Sequence, residues 1–220
     1  EQTSELSAAM NALPQPGFDV SMVIKVTSLA DGEQSLKATG SVVDDSAILE
    51  VDARSAPNGA GFFGHYDSID AIFVDGSGYF AVVPDDKWLR VDLQSASSFE
   101  GADIARLRDL ILADPVLLLR LLEEAGDVSF QGDAGSVVLK PASSETLTEL
   151  EELFGIHRLP INFEVDDQGA LSSVEMIFEY EMVRDTEAIN RAVVTLEITG
   201  PSDAEPAEAG LQPPGDGRRD

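Results

Sequence analysis

The chain has 220 residues, of which 43% are hydrophobic and none is cysteine, and its 41 acidic and 14 basic residues give a formal net charge of −27. This charge excludes direct binding to a phosphate backbone, which depends on Lys and Arg, and the missing cysteine excludes disulfides and thiol catalysis. No apolar run reaches the roughly 18 residues that a membrane-spanning helix needs. The acidity is interpreted as a source of solubility.

The N-terminal part of the chain predicts one short helix and then a series of strands. The helix covers residues 4–13 and is ended by Pro14 and Pro16. The apolar residues then recur with a period of two, which is typical of antiparallel strands with one buried face. The resulting meander has six strands separated by polar turns, over residues 18–26, 36–42, 47–53, 68–74, 78–83 and 87–93.

Two helices are predicted after the meander. The first covers residues 102–112, and Asp114-Pro115 starts the second, because an Asp side chain caps the first turn and Pro needs no amide hydrogen there. Gly126 ends the second helix. Its apolar sector is wider than that of an ordinary surface helix, and it includes Val116, Leu117, Leu118, Leu119, Leu121 and Leu122.

The remaining elements are a hairpin, a helix, three strands and a tail. Their predicted ranges are 128–131 with 136–140, then the helix 145–154, then 161–165, 174–182 and 191–199. Leu171 is out of phase with Val174 and Met176, which predicts a β-bulge near residues 172–173. Residues 1–199 are therefore expected to form one domain, followed by a disordered acidic tail over 200–220 that is rich in Pro, Ala and Gly.

The order of these elements predicts the fold class α+β. A broad antiparallel sheet of about eleven strands curls because strands twist. Its apolar face has to be covered, and the predicted helices are the available cover. We therefore expect a curved antiparallel β half-barrel with helices over the concave face.

Three local stretches, with the element order, resemble the LolA-like superfamily and within it the actinobacterial LppX/LprG lipoproteins. These stretches are Ile72-Phe73-Val74-Asp75-Gly76-Ser77-Gly78-Tyr79 with Lys87-Trp88, Asp114-Pro115 before the leucine-rich helix, and Leu159-Pro160-Ile161 leading into Asp167-Gln168-Gly169. The resemblance covers roughly residues 4–199 and implies a half-barrel with a lipid-accepting cavity beneath its helices.

The function that the resemblance implies is non-enzymatic transport of a lipid or glycolipid within the cell envelope. It implies an extracytoplasmic, monomeric protein, anchored through a lipid-bearing cysteine upstream of Glu1 and able to meet an envelope transporter or another protein partner. The alternative is an interaction or stress-sensor module of the same fold, because fold alone does not determine function. No nucleic acid, cofactor or transmembrane segment is expected.

The residue types that catalysis or metal binding needs are sparse. The two histidines, His65 in a glycine-rich loop and His157 after a helix, are far apart in the sequence and have no evident partners. The acidic pairs lie at predicted turns, where Asp hydrogen-bonds its own backbone, so no metal site is expected. Glu175, Glu179 and Glu181 share one strand face, which is interpreted as solvated or as a docking site for a basic partner. A hydrolase centred on His65 is the competing hypothesis.

The candidate ligand site is the space between the sheet and the two central helices. If the two apolar surfaces close tightly they form an ordinary core, and if they stand apart they enclose a lipid-sized pocket. On the sheet its residues are Phe18, Val20, Met22, Ile24, Met176, Phe178 and Tyr180, and on the helices they are Ile104, Leu107, Ile111, Leu117, Leu118, Leu121 and Leu122.

Overall fold

The structure is a computed structural model that describes residues 5–28, 32–52, 68–74, 77–82, 87–92, 112–126, 128, 130–181 and 189–204. Its helices are α1 (Glu5–Asn11), α2 (Pro115–Glu123) and α3 (Glu145–Phe154), with a 3-10 turn over Pro141–Ser143. Its strands are β1 (Gly17–Ser28), β2 (Gly32–Val43), β3 (Ser46–Asp52), β4 (Ser68–Val74), β5 (Ser77–Val82), β6 (Lys87–Asp92), β7 (Phe130–Gln131), β8 (Ala134–Leu139), β9 (Leu159–Val165), β10 (Leu171–Glu181) and β11 (Ile189–Pro201).

All eleven strands belong to one antiparallel sheet. Their order is β6-β5-β4-β3-β2-β1-β11-β10-β9-β8-β7. Consecutive strands are therefore neighbours except for β6 and β7, which form the two edges, and the first and last strands, β1 and β11, pair with each other inside the sheet. The predicted α+β fold class, a half-barrel of about eleven strands with helices on its concave face, is confirmed. The β1–β11 pairing places Met22 opposite Leu196 and Ile24 opposite Val194.

The sheet contains the predicted bulge, and its terminal hairpin is tighter than predicted. The register of β10 against β9 shifts between Leu171 and Ser173, where the sequence places a residue out of phase. In the hairpin, Gln131 pairs with Ala134, so the connection is two residues rather than the four expected. Gly132 has a φ of 71°, a left-handed conformation that suits glycine in such a short turn.

The last strand extends beyond residue 199. Gly200 and Pro201 pair with Asp19 and Phe18 across a register shift in β1, and the Ser202 amide donates to the carbonyl of Gly17 at 3.0 Å. The predicted strand over 191–199 therefore ends two residues too early, because pairing with β1 outweighs the turn-forming composition. Residues 205–220 lie outside the described residues, and so do residues 102–111 of the predicted helix.

One hydrophobic core joins the inner face of the sheet to the helices. Alternate residues of the strands point into it, from Phe80 in β5 to Leu139 in β8. The helices contribute Leu6 from α1, the leucines of α2, and Leu147 and Leu150 from α3. The sheet therefore has an inner face turned to the helices and an outer face turned to solvent.

Candidate functional site

The sheet wall of the candidate site is formed by three adjacent strands. Phe18, Val20, Met22 and Ile24 of β1, and Met176 and Phe178 of β10, are all buried in the common core. The strand between them is β11, whose residues Ala192, Val194 and Leu196 are equally buried and belong to the same wall. These three residues are absent from the candidate set predicted above, although their period of two within the predicted strand 191–199 is a sufficient signal for an inward position.

The helix wall is formed by α2. Leu117, Leu118, Leu121 and Leu122 are at most 5% exposed, whereas Arg120 on the opposite side is exposed. The helix begins as predicted, because the Asp114 side chain accepts a hydrogen bond from the Val116 amide at 2.9 Å. The four leucines therefore face the sheet as one continuous apolar surface.

Asp114 is a carboxyl buried at the start of this apolar helix. It is 6% exposed, and burial raises its pKa to about 6, against the hydrogen bonds from the Leu117 and Val116 amides and the attraction of Arg120. A narrow crevice beside it is lined also by Asp45, at the turn between β2 and β3. Burial is the dominant cause because the carboxylate loses solvation, and the attraction of Arg120 offsets only part of that loss.

The helices α2 and α3 are joined by a carboxylate. Glu124, the residue that ends α2, accepts hydrogen bonds from the Thr146 amide at 3.2 Å, from the Thr146 hydroxyl at 2.5 Å and from the Ser144 hydroxyl. Ser144 in turn caps α3, because its hydroxyl oxygen accepts from the Leu147 amide at 2.8 Å. We call the contacts of Glu124 with Ser144 and Thr146 the helix clasp.

The buried surface between sheet and helices is apolar wherever the structure describes its side chains. Six buried polar residues occur, and each lies at an end of an element: Ser46, Ser77, Asp114, Ser144, Thr146 and Ser202. Within the described ranges, no group of three or more His, Asp or Glu side chains could hold a metal ion. Among the residues that the structure describes, the inner face is apolar and carries no paired acid and base.

The other sequence candidates are distributed as follows. His157 is exposed, and its Nδ1 lies 2.7 Å from Oε1 of Glu151 in α3. Tyr180 belongs to β10, but its side chain lies outside the described part of the structure, as do His65, Ile104, Leu107 and Ile111. No helix among the described residues is long and apolar enough to cross a membrane.

The chain has little similarity to known proteins. No protein-family profile and no curated protein matches the sequence. Among solved structures it is similar to the crystal structure of a LolA superfamily protein from Nitrosomonas europaea, with 11% identity over 93% of this chain and 96% of that chain and a TM-score of 0.41. A de novo designed transmembrane β-barrel is similar at 5% identity over 86% of this chain and 100% of that chain, with a TM-score of 0.20.

Proposed function

We propose that this protein is a non-enzymatic carrier that holds a lipid or lipid-linked molecule between the inner face of the sheet and the covering helices. The observation that supports it most is the chemistry of the two facing surfaces. The inner residues of β1, β10 and β11 and the leucines of α2 belong to one buried cluster of apolar side chains. An acyl chain between such surfaces gains about 0.8 kcal/mol per buried methylene without needing a specific polar partner.

The contacts that hold the helices favour reversible opening. α2 and α3 are joined to each other by the directional hydrogen bonds of the helix clasp, whereas α2 meets the sheet through leucines. Apolar contacts are non-directional, so they can be replaced by contacts with a ligand at little cost. Met22 and Met176 lie on the sheet wall, and unbranched methionine adapts to chains of different shape.

The site of action follows from the resemblance to the LppX/LprG lipoproteins. We propose that the chain works outside the cytoplasm in the cell envelope, tethered there by a lipid anchor, and passes its ligand to or from an envelope partner. The stretches that support this are the β4–β5 region around Ile72, the Asp114-Pro115 start of α2 and the Leu159-Pro160 start of β9.

The proposal is tested by extracting the purified chain with organic solvent and analysing the extract by mass spectrometry. A carrier should release about one acylated molecule per chain, and the delipidated chain should bind an apolar fluorescent dye that a fatty acid displaces. Heat-unfolded chain at the same concentration serves as the control for dye binding. A chain that releases no lipid and binds neither dye nor fatty acid would be an interaction module and not a carrier.

A further inference from the structure

The outer face of the sheet has a groove on the side opposite the proposed ligand site. It encloses about 580 Å³ across β8, β9, β10 and β11. The strand register places Ser136, Asn162, Glu175 and Thr195 in one row across the strands. Glu164 and Ser173 form the next row. The polar lining of the groove therefore consists of three hydroxyls, the two amides of Gln131 and Asn162, and two carboxylates.

The carboxylates of the groove are held by neutral donors. Glu175 Oε1 accepts from Asn162 Nδ2 at 3.0 Å, and Glu164 Oε2 lies 3.4 Å from the Ser173 hydroxyl. Glu179, on the same face of β10, instead has Arg158 Nη2 at 3.2 Å and Arg191 as its cross-strand neighbour. Among the described residues the two groove carboxylates have no such basic partner, so their negative charge is uncompensated.

A row of apolar residues runs beside the groove. Val138 is 53% exposed and is paired with Pro160, and Ile177 is paired with Val193 in the same row. Each of these residues is two positions along its strand from a residue of the groove, which corresponds to about 7 Å. The same distance separates alternate side chains of an extended peptide.

From this juxtaposition we propose that the outer face of β8–β11 is a docking site for an extended basic segment of a partner protein. A Lys or Arg side chain of the segment enters the groove between Glu164 and Glu175. An apolar side chain two positions along the segment lies on Val138 and Ile177. Because the site faces away from the helices, docking does not require the ligand site to be empty, and its failure would leave the carrier function untouched.

Charge complementarity is the reason for a basic occupant, and the apolar row is the reason for a peptide rather than a simple cation. Ion pairs at a solvated rim accelerate encounter and select the partner more than they hold it. Binding should therefore be moderate and should weaken as salt rises toward physiological strength, where charges are screened over about 8 Å.

The experiment uses the whole ¹⁵N-labelled chain and a seven-residue peptide of sequence Thr-Lys-Thr-Val-Thr-Lys-Thr. We expect amide shifts concentrated at Ser136, Asn162, Glu175 and Thr195. Peptides in which Gln replaces both lysines, or Ser replaces the valine, should bind more weakly, and spermidine is added as a simple polycation. The double variant Glu164→Gln/Glu175→Gln should weaken peptide binding about fivefold or more.

The matched control is the double variant Glu33→Gln/Asp70→Asn, which removes the same charge from exposed positions in the other half of the sheet. This control variant should change the affinity for the peptide less than twofold. Equal weakening by both double variants, or shifts spread over the whole acidic surface, would overturn the proposal in favour of general charge attraction. Spermidine shifts as large as those of the peptide, with no effect of the valine, would overturn it in favour of a cation site.

Discussion

Thr146, in the first turn of α3, donates its hydroxyl to Glu124, the residue that ends α2, at a distance of 2.5 Å. The two residues are 22 positions apart, and the β7–β8 hairpin lies between them in the chain. The bond therefore brings the two ends of the segment between α2 and α3 into contact. Two helices that are too short to be stable alone are thus connected into one covering unit.

The clasp predicts that Glu124→Ala lowers the free energy of unfolding by about 1–3 kcal/mol, because the buried hydroxyls of Ser144 and Thr146 lose their acceptor. Urea denaturation measures this loss. Glu123→Ala, one residue earlier and exposed, is the matched control and should cost less than about 0.5 kcal/mol.

A double-mutant cycle distinguishes the clasp from a local effect on α2. Thr146→Val combined with Glu124→Ala should cost clearly less than the sum of the two single changes, since both remove the same bond. Strictly additive costs would show that Glu124 and Thr146 do not stabilise each other. Hydrogen exchange should also become faster in both helices of the Glu124 variant and not in α2 alone.

The buried Asp114 predicts a pH-dependent stability. Its pKa in the folded chain is raised by burial to about 6, above the ordinary value of 3.8, so the folded chain binds this proton more tightly than the unfolded chain. The stabilisation by protonated Asp114 is therefore fully present below about pH 4 and is lost as the pH rises through the folded-state pKa of about 6. The difference between the two pKa values corresponds to at most about 3 kcal/mol.

The comparison that isolates this group is wild type against Asp114→Asn, which keeps an acceptor for the Val116 amide and removes the titration. The stability of wild type relative to the variant should fall from about pH 4 through the folded-state pKa of about 6 and become constant above about pH 7. Arg120 and Asp45 face the same crevice, so the measurement is repeated with Arg120→Gln, where the fall should extend to higher pH. A relative stability that rises with pH would contradict the burial of a neutral carboxyl.

The close approach of β2 to β3 at Gly40 predicts a position that accepts no side chain. A Cβ on Gly40 would lie 1.9 Å from the carbonyl oxygen of Ile48 and 2.8 Å from the Cα of Leu49, both backbone atoms. Gly40→Ala should therefore destabilise the chain by about 1–3 kcal/mol or more, because no rotamer change relieves the conflict. The control is Thr39→Ala on the outer face, and equal thermal stability of the two variants would refute this account.

The proposed ligand site predicts the effect of a bulky residue on α2. In Leu118→Trp the indole should occupy ligand space, so the amount of co-purified lipid should fall several-fold with little change in the melting temperature. The control is Val138→Trp on the outer face, which should leave the lipid content unchanged. If Leu118 belongs only to a closed core, the variant should instead lose about 1–3 kcal/mol of stability through overpacking and keep its lipid content.

Much of the fold follows from local patterns. The six-strand meander, the start of α2 at Asp114-Pro115 and the bulge between Leu171 and Ser173 are all visible in the sequence, since each depends on residues close in the chain. Alternation determines which residues point inward, and a register error of one residue would turn all of them outward. For this reason the buried sheet residues of the candidate site could be selected without knowing their neighbours.

What only the tertiary structure decided is which distant residues meet. The pairing of β1 with β11 adds Val194 and Leu196 to the candidate site and extends the last strand to Pro201. It has no local signal, because the paired residues are 164 or more positions apart in the chain, from Thr27 with Arg191 onward. Glu124 is one acidic residue among 41 in the sequence. It forms the contacts of the helix clasp only when α3 is folded beside it. The groove at Glu164 and Glu175 likewise needs four strands in register, since side chains that share a row in a sheet are brought together by backbone pairing and not by proximity in the chain.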